Sequence, residues 1–131
     1  MNPLLTYLVI GIGSALGGLA RYSCGSLAAA VWGASFPWGT ILINLIGSFV
    51  IGGFATLTGP DGRFYVAVLW RQFVMVGLCG GYTTFSAFSL ETLQLLQARR
   101  PAAAAANVAL SAMLCLLAAW SGHALAQKTN R

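Results

Sequence analysis

The sequence predicts an all-α membrane protein with four transmembrane helices, of which the third is broken near its middle. Three observations carry this prediction. The chain is 58% hydrophobic and only 7% charged, whereas a soluble domain is about 25% charged, so lipid must solvate most of its surface. Four apolar stretches, each near the roughly 20 residues that a spanning helix needs, occupy the chain. The third stretch has a centre rich in glycine and threonine, which are poor residues for a helix interior.

The four stretches predict one transmembrane domain over residues 1–131, with helices near 4–31, 38–57, 68–98 and 102–126. The net charge of +5 does not indicate a nucleic-acid partner, because the basic residues are scattered at segment ends, where lipid headgroups lie. One histidine and two acids leave no nucleophile with a plausible base. We therefore expect no catalytic residues and no enzyme activity.

The first segment carries small residues at helical spacing. Gly13 and Gly17 form a G-x-x-x-G pair, with Gly18 adjacent, and this spacing lets helix backbones approach closely in lipid. Arg21 ends the strongly apolar part. Its long side chain can reach a headgroup or a water-filled mouth by snorkelling.

The second segment follows the turn at Pro37 and carries a polar stripe. Thr40, Asn44 and Ser48 recur every four residues and so share one helical face. A carboxamide in lipid is unfavourable by several kcal/mol unless it is paired or wet. Asn44 either bonds a neighbouring helix or lines a polar path, and the shared stripe favours the path.

The third segment is too long for a simple span. The 27 residues from Gln72 to Ala98 contain no Lys or Arg. As continuous helix they would measure roughly 40 Å, against about 30 Å for the hydrocarbon core. With Gly80-Gly81 and Thr83-Thr84 at its centre, we expect unwound backbone there, which survives at membrane depth only where protein or a watery cavity covers it.

Two phenylalanines follow this centre. Phe85 and Phe88 are three residues apart and point the same way. Such a pair usually packs, but ring edges are positive, and beside hydroxyls such as that of Thr84 they suit a small anion. Glu91, one turn further on, either has an intramembrane role or meets Arg99, Arg100 or a headgroup.

The fourth segment has a second polar stripe. Asn107, Ser111 and Cys115 recur every four residues on one face. Single residues of these types usually pack between helices. Three in register, led by an asparagine, fit a polar track better.

The charge pattern leaves the orientation of the chain open. With four spans, the termini and the middle loop share one side, which holds four basic residues, and the other side holds three. Orientation normally follows a Lys/Arg excess in cytoplasmic loops. An excess this small permits insertion both ways, and hence an antiparallel homodimer, unless Arg71 or Arg21 lies too deep to count.

Three motifs together resemble the small bacterial fluoride channels, also called fluoride exporters (Fluc/CrcB type). The third-segment run over residues 77–91 reads GLCGGYTTFSAFSLE, and it resembles the signature of that family. Gly39-Thr40 followed by Asn44-Leu-Ile-Gly47 resembles its second-helix motif. Gly13-(x)3-Gly17-Gly18-(x)2-Arg21-Tyr22 resembles its first, so the resemblance covers the whole chain.

The resemblance implies a fluoride-selective channel of the bacterial inner membrane that passively exports fluoride and lowers its cytoplasmic level. The implied assembly is a dual-topology antiparallel homodimer with two pores. The implied pore residues are Phe85 and Phe88 as the ring lining, Asn44 as an N–H donor, Arg21 near the vestibule, and Thr84, Asn107 and Ser111 as further polar groups. The backbone carbonyls of Gly80 and Thr83 would hold a central structural sodium ion. The family often has Tyr at the position of Asn107 and Ser or Thr at that of Cys115, so this track is altered here.

Two other functions are compatible with four helices. A small multidrug transporter is also an antiparallel dimer, but it needs a buried carboxylate in its first helix for proton coupling, and the first acid here is Asp61. A membrane scaffold would use the glycine packing but would leave the polar stripes without a role. The multidrug-type, proton-coupled transporter is therefore the alternative.

Overall fold

The computed structural model describes residues 2–131, which form five helical segments joined by short loops. Four helices are long and apolar enough to cross a membrane, which confirms the predicted all-α architecture. The final helix runs past residue 126, where the sequence placed its end. The segments are α1 (Pro3–Trp32), α2 (Trp38–Leu57), α3 (residues 68–82), α4 (Phe85–Gln97) and α5 (Pro101–Asn130).

The ends of the long helices follow ordinary capping chemistry. Asn2 caps α1 by accepting the Leu4 N–H at 3.0 Å, and Gly33, with φ 74°, ends that helix. Pro101 starts α5, where its missing N–H has no helical partner in any case. Arg99 has a left-handed φ of 56° in the tight turn that reverses the chain between α4 and α5.

The third span changes its backbone geometry along its length. In α3, Val68–Gln72 is α-helical, Phe73–Cys79 is π-helical and Gly80–Tyr82 is α-helical again. Thr83 and Thr84 are then extended, with φ/ψ of −82°/159° and −153°/119°. The Thr84 hydroxyl accepts the Ala87 N–H at 3.1 Å and so caps α4.

Glycines set the contact between α1 and α3. A Cβ on Gly13 would lie 2.7 Å from the Phe73 carbonyl oxygen, and one on Gly17 would meet the backbone of Leu78 and Tyr82. Gly81 lies equally close to the backbone of Ser14. The first-segment glycines therefore bring α1 against the third span, as their spacing indicates.

A second glycine contact joins α2 to α5. Gly52 packs on the Ala119 backbone, and Gly122 packs on the backbone of Phe49 and Gly53. Among residues 2–131, α4 packs only against α2 and α5, and α1 contacts neither α4 nor α5. This arrangement leaves an open groove between α1, α2 and α4.

Candidate functional site

The groove has a volume of about 1250 Å³. Its walls come from α1, α2 and α4 and from the turn between α1 and α2. Most of the lining is apolar, but polar and charged side chains also reach it, among them Arg21, Thr40, Thr84, Glu91 and Arg100. Two of the predicted site residues, Arg21 and Thr84, therefore lie on this surface.

Asn44 joins α2 to the extended backbone of the third span. Its Nδ2 donates to the Thr84 carbonyl oxygen at 2.9 Å, and its Oδ1 accepts the Thr84 N–H at 2.7 Å. In a continuous α-helix that N–H would donate to the carbonyl of Gly80. The carboxamide thus replaces the helical partners of Thr84 and leaves its second N–H available for another acceptor.

Arg21 lies at the depth of the extended residues. Its Nη1 donates to the Thr83 carbonyl oxygen at 3.4 Å, and the side chain is half-buried. The guanidinium is a cation with several N–H donors. It therefore brings a fixed positive charge to the middle of the span and to the groove that reaches it.

The carbonyls of Gly80 and Thr83 are compatible with the sodium site that the resemblance implies. The Thr84 N–H does not use the Gly80 oxygen, and the Thr83 oxygen, although it accepts from Arg21, keeps a second lone pair. Carbonyls at an interrupted helix are typical sodium ligands. The described residues contain no group of three or more His, Cys, Asp or Glu side chains for a metal ion.

Glu91 bonds to α2 rather than to an arginine. The Thr40 hydroxyl donates to its Oε1 at 2.8 Å, while Oε2 is buried with no hydrogen-bond partner among residues 2–131. Arg100 Nη1 instead donates to the Ser35 carbonyl at 2.6 Å. The sequence left two interpretations of Glu91, an intramembrane role or a contact with Arg99, Arg100 or a headgroup. The structure does not show a pairing of Glu91 with either arginine.

The two phenylalanines lie beside each other, with Phe85 exposed on the single chain and Phe88 half-buried. Their ring centroids are 5.1 Å apart with the planes tilted by 44°. Phe85 is 78% exposed, and neither ring lines the groove. The chain alone therefore does not bring the rings together with Arg21 and the Thr84 hydroxyl.

Asn107 and Ser111 lie on α5 and do not line the groove. Asn107 has no exposed surface; its Nδ2 donates to the Thr92 hydroxyl at 2.9 Å, and its Oδ1 accepts from Ser111 Oγ at 3.3 Å. Thr92 in turn donates to the Phe88 carbonyl oxygen at 2.7 Å. The polar stripe of the fourth segment thus connects to α4 through Thr92, a residue that the sequence analysis missed although it lies one turn beyond Phe88.

Comparison with known proteins places this arrangement in a family. The family model described as CrcB-like protein, Camphor Resistance (CrcB), matches residues 8–123. The chain belongs to the CrcB family. The CrcB model includes all of the site residues described above, from Arg21 to Ser111.

Relatives within the CrcB family are similar over nearly their whole length. A Rhodospirillum rubrum protein named fluoride-specific ion channel FluC is 58% identical over 119 residues, which are 91% of this chain and 92% of that protein. A Methylocella silvestris protein of the same name is 54% identical over 127 residues, or 97% of each chain. The one from Paramagnetospirillum magneticum is 52% identical over 128 residues, which are 98% of this chain and all of that protein.

Proposed function

We propose that this chain is a fluoride-selective ion channel that passively exports fluoride and so lowers its concentration in the cytoplasm. The observation that carries the proposal is the full-length similarity, at more than half identity, to bacterial proteins named fluoride-specific ion channels. Together with the four spanning helices, it makes the chain a multi-pass protein of the bacterial inner membrane. A channel breaks no covalent bond, so membership in this family also agrees with the prediction that the chain is not an enzyme.

The ion path would replace the water around fluoride with hydrogen-bond donors. Asn44 has one N–H beyond the bond to Thr84, and the Thr84 hydroxyl and Arg21 lie on the groove wall. Ring edges of Phe85 and Phe88 offer weaker positive potential, and the Ser111 hydroxyl lies further along the fourth helix. Several moderate sites in series permit conduction, whereas one tight site would hold the ion.

The assembly we propose is an antiparallel homodimer of dual topology. A second copy would cover the exposed Phe85 ring and close the groove that α1, α2 and α4 leave open. The ring pair and the polar groove, which are separate in one chain, would then lie in one path. Basic residues lie on both sides of the membrane, four against two when the mid-span Arg21 is set aside, and this modest excess still permits both insertions.

The interruption at Thr83 and Thr84 would serve as a functional break in the third helix. On a two-fold axis, two copies would offer four carbonyl oxygens from Gly80 and Thr83 to one sodium ion. Bound sodium would hold the two interruptions against each other and add positive charge at the centre of the assembly. Asn44 would keep each interruption open by satisfying Thr84.

The proton-coupled multidrug alternative has no support from the comparisons. The relatives described carry the name of a fluoride channel, and α1 contains no acid. Among residues 2–131, Glu91 is the one acid within a spanning helix. It lies on the third span, where it bonds to Thr40.

Growth of a bacterium that lacks its own fluoride efflux tests the proposal. Cells that express this chain should grow at fluoride concentrations that stop cells with an empty vector, whereas both strains should tolerate chloride equally. Cells with the Phe64→Ile variant, which changes an exposed ring in the loop before α3, should grow like those with the wild type. Equal fluoride sensitivity with and without the expressed, membrane-inserted chain would refute the proposal.

A further inference from the structure

Two polar contacts join the body of the helix that carries both phenylalanines to its neighbours. In residues 2–131, the side chains of α4 make two hydrogen bonds to other helices, from Thr40 to Glu91 and from Asn107 to Thr92. Leu95 is the one buried side chain of α4. Since few side chains of this helix are buried, the two bonds help to determine its orientation.

The two bonds act in different directions around the helix axis. Glu91 and Thr92 are consecutive, so their side chains leave α4 about 100° apart. One bonds to α2 and the other to α5. A rotation of α4 about its axis would therefore break at least one of them.

Thr92 connects this restraint to the phenylalanines. It lies one turn after Phe88, on the same face of α4, and its hydroxyl donates to the Phe88 carbonyl oxygen while accepting from Asn107. Asn107 is completely buried, and both ends of its carboxamide are bonded within the protein. Its side chain therefore acts on α4 and does not face the groove.

We propose that Thr92 and Asn107 form a rotational lock that sets the direction in which Phe85 and Phe88 face. Both are positioning residues, which act through the rings rather than by contact with the ion. The inference rests on the proposed fluoride channel. It also gives Asn107 a different role from the pore contact that the family resemblance implies.

Fluoride efflux from vesicles, read with a fluoride electrode, separates positioning from folding. The fraction of vesicles that empties reports the amount of active protein, and the rate of emptying reports conduction. Thr92→Val keeps the side-chain shape but removes the hydroxyl. It should slow emptying about three- to tenfold, because loss of one interhelical bond would lower the share of channels with correctly oriented rings by about that factor. The fraction of vesicles that empties should stay that of the wild type.

Two matched variants control this experiment. Thr92→Ser keeps the hydroxyl and should restore the wild-type rate. Thr129→Val makes the same substitution at an exposed threonine whose hydroxyl bonds only to the carbonyl of Leu125, and it should also conduct like the wild type. If Thr92→Val does not insert, Thr92→Ala removes the same hydroxyl and takes its place.

Different results would overturn the rotational lock and the proposed channel function. A wild-type rate for Thr92→Val, or a loss confined to the emptied fraction, would overturn the lock. A wild type that passes no fluoride would overturn the proposed function instead. The bond between Thr92 and Asn107 can also be tested without any ion, by thermal unfolding in detergent. The double variant Thr92→Val with Asn107→Leu should lower the unfolding temperature by less than the sum of the two single effects. Full additivity would contradict the lock.

Discussion

At the residue scale, the carboxamide of Asn44 replaces two backbone hydrogen-bond partners that Thr84 would have in a continuous helix. It binds both the N–H and the carbonyl of Thr84, at 2.7 and 2.9 Å. Without it, both groups would lie unpaired inside a membrane, where water cannot replace the bond. Asn44 is therefore needed for the shape of the third span.

Asn44→Ala should destabilise the protein because it leaves both backbone groups of Thr84 without partners. Each unsatisfied group costs about 1–3 kcal/mol. Asn130→Ala is a matched control, since Asn130 also bonds a backbone N–H and a backbone carbonyl, those of Arg63 and Thr56, but near the chain end. Thermal unfolding in detergent should show a clear loss for Asn44→Ala and a change within about 0.5 kcal/mol for Asn130→Ala, and equal melting of the two variants would contradict the account.

The two phenyl rings should contribute directly to conduction. Phe85→Ile and Phe88→Ile replace a ring edge by an aliphatic group of similar hydrophobicity. Because a ring contact is worth about 0.5–1.5 kcal/mol, each variant should slow fluoride efflux from vesicles about two- to tenfold. Phe64→Ile provides the control for loss of a ring elsewhere, and unchanged efflux in both Phe85→Ile and Phe88→Ile would remove the rings from the ion path.

At the element scale, the helices are held by close backbone contact at glycines. Helices in lipid gain little from hydrophobic burial, so contact area decides which helices pair. Gly17 lies against the backbone of Leu78 and Tyr82, and Gly52 lies against that of Ala119. These two contacts build the α1–α3 pair and the α2–α5 pair on which the groove depends.

Two alanine substitutions in α1 should have opposite effects. Gly17→Ala would place a methyl group against backbone atoms that cannot move aside, so the unfolding temperature should fall. Gly11→Ala meets nothing within 4 Å and should raise stability by about 0.5–1 kcal/mol, because alanine is the better helix residue. If both variants melt like the wild type, close α1–α3 contact does not stabilise the protein.

The sequence predicts the helices better than the contacts between them. Apolar length alone gives the four spans, because only helices of that length cross a bilayer without unpaired backbone groups. Periodicity places Thr40 and Asn107 on polar faces, but it cannot say that they bond to Glu91 and Thr92, since these pairs depend on how helices distant in sequence pack. The π-helical stretch Phe73–Cys79 has no distinct residue preference and was not predicted.

At the scale of the whole molecule, the structure changes the charge balance that bears on orientation. Arg21 reaches the Thr83 carbonyl in mid-span, so it does not act as a loop charge. Four basic residues then remain on the side of the termini, against Arg99 and Arg100 on the other. The excess of basic residues on the side of the termini is therefore greater than the sequence count suggested. Because this excess favours one orientation, a measurement of mixed insertion is a sharper test of the proposed assembly.

Variants with a fixed orientation should test the antiparallel dimer. Asp61→Lys with Gln127→Lys adds positive charge on the side of the termini, and Gln97→Lys with Ala102→Lys adds it on the opposite side; all four residues are exposed. Each pair of substitutions should force one orientation and abolish fluoride efflux, and co-expression of the two variants should restore it. Full efflux from either variant alone, with cysteine labelling confined to one side, would contradict dual topology.

As a fluoride-selective channel, this chain should pass fluoride and reject chloride. The most direct measurement places purified protein in vesicles loaded with both ions and follows their release with two ion-selective electrodes after the membrane potential is collapsed. Fluoride should leave these vesicles rapidly, while chloride should leave no faster than from vesicles without protein. Fluoride release equal to that of empty vesicles, or equal release of both ions, would contradict it.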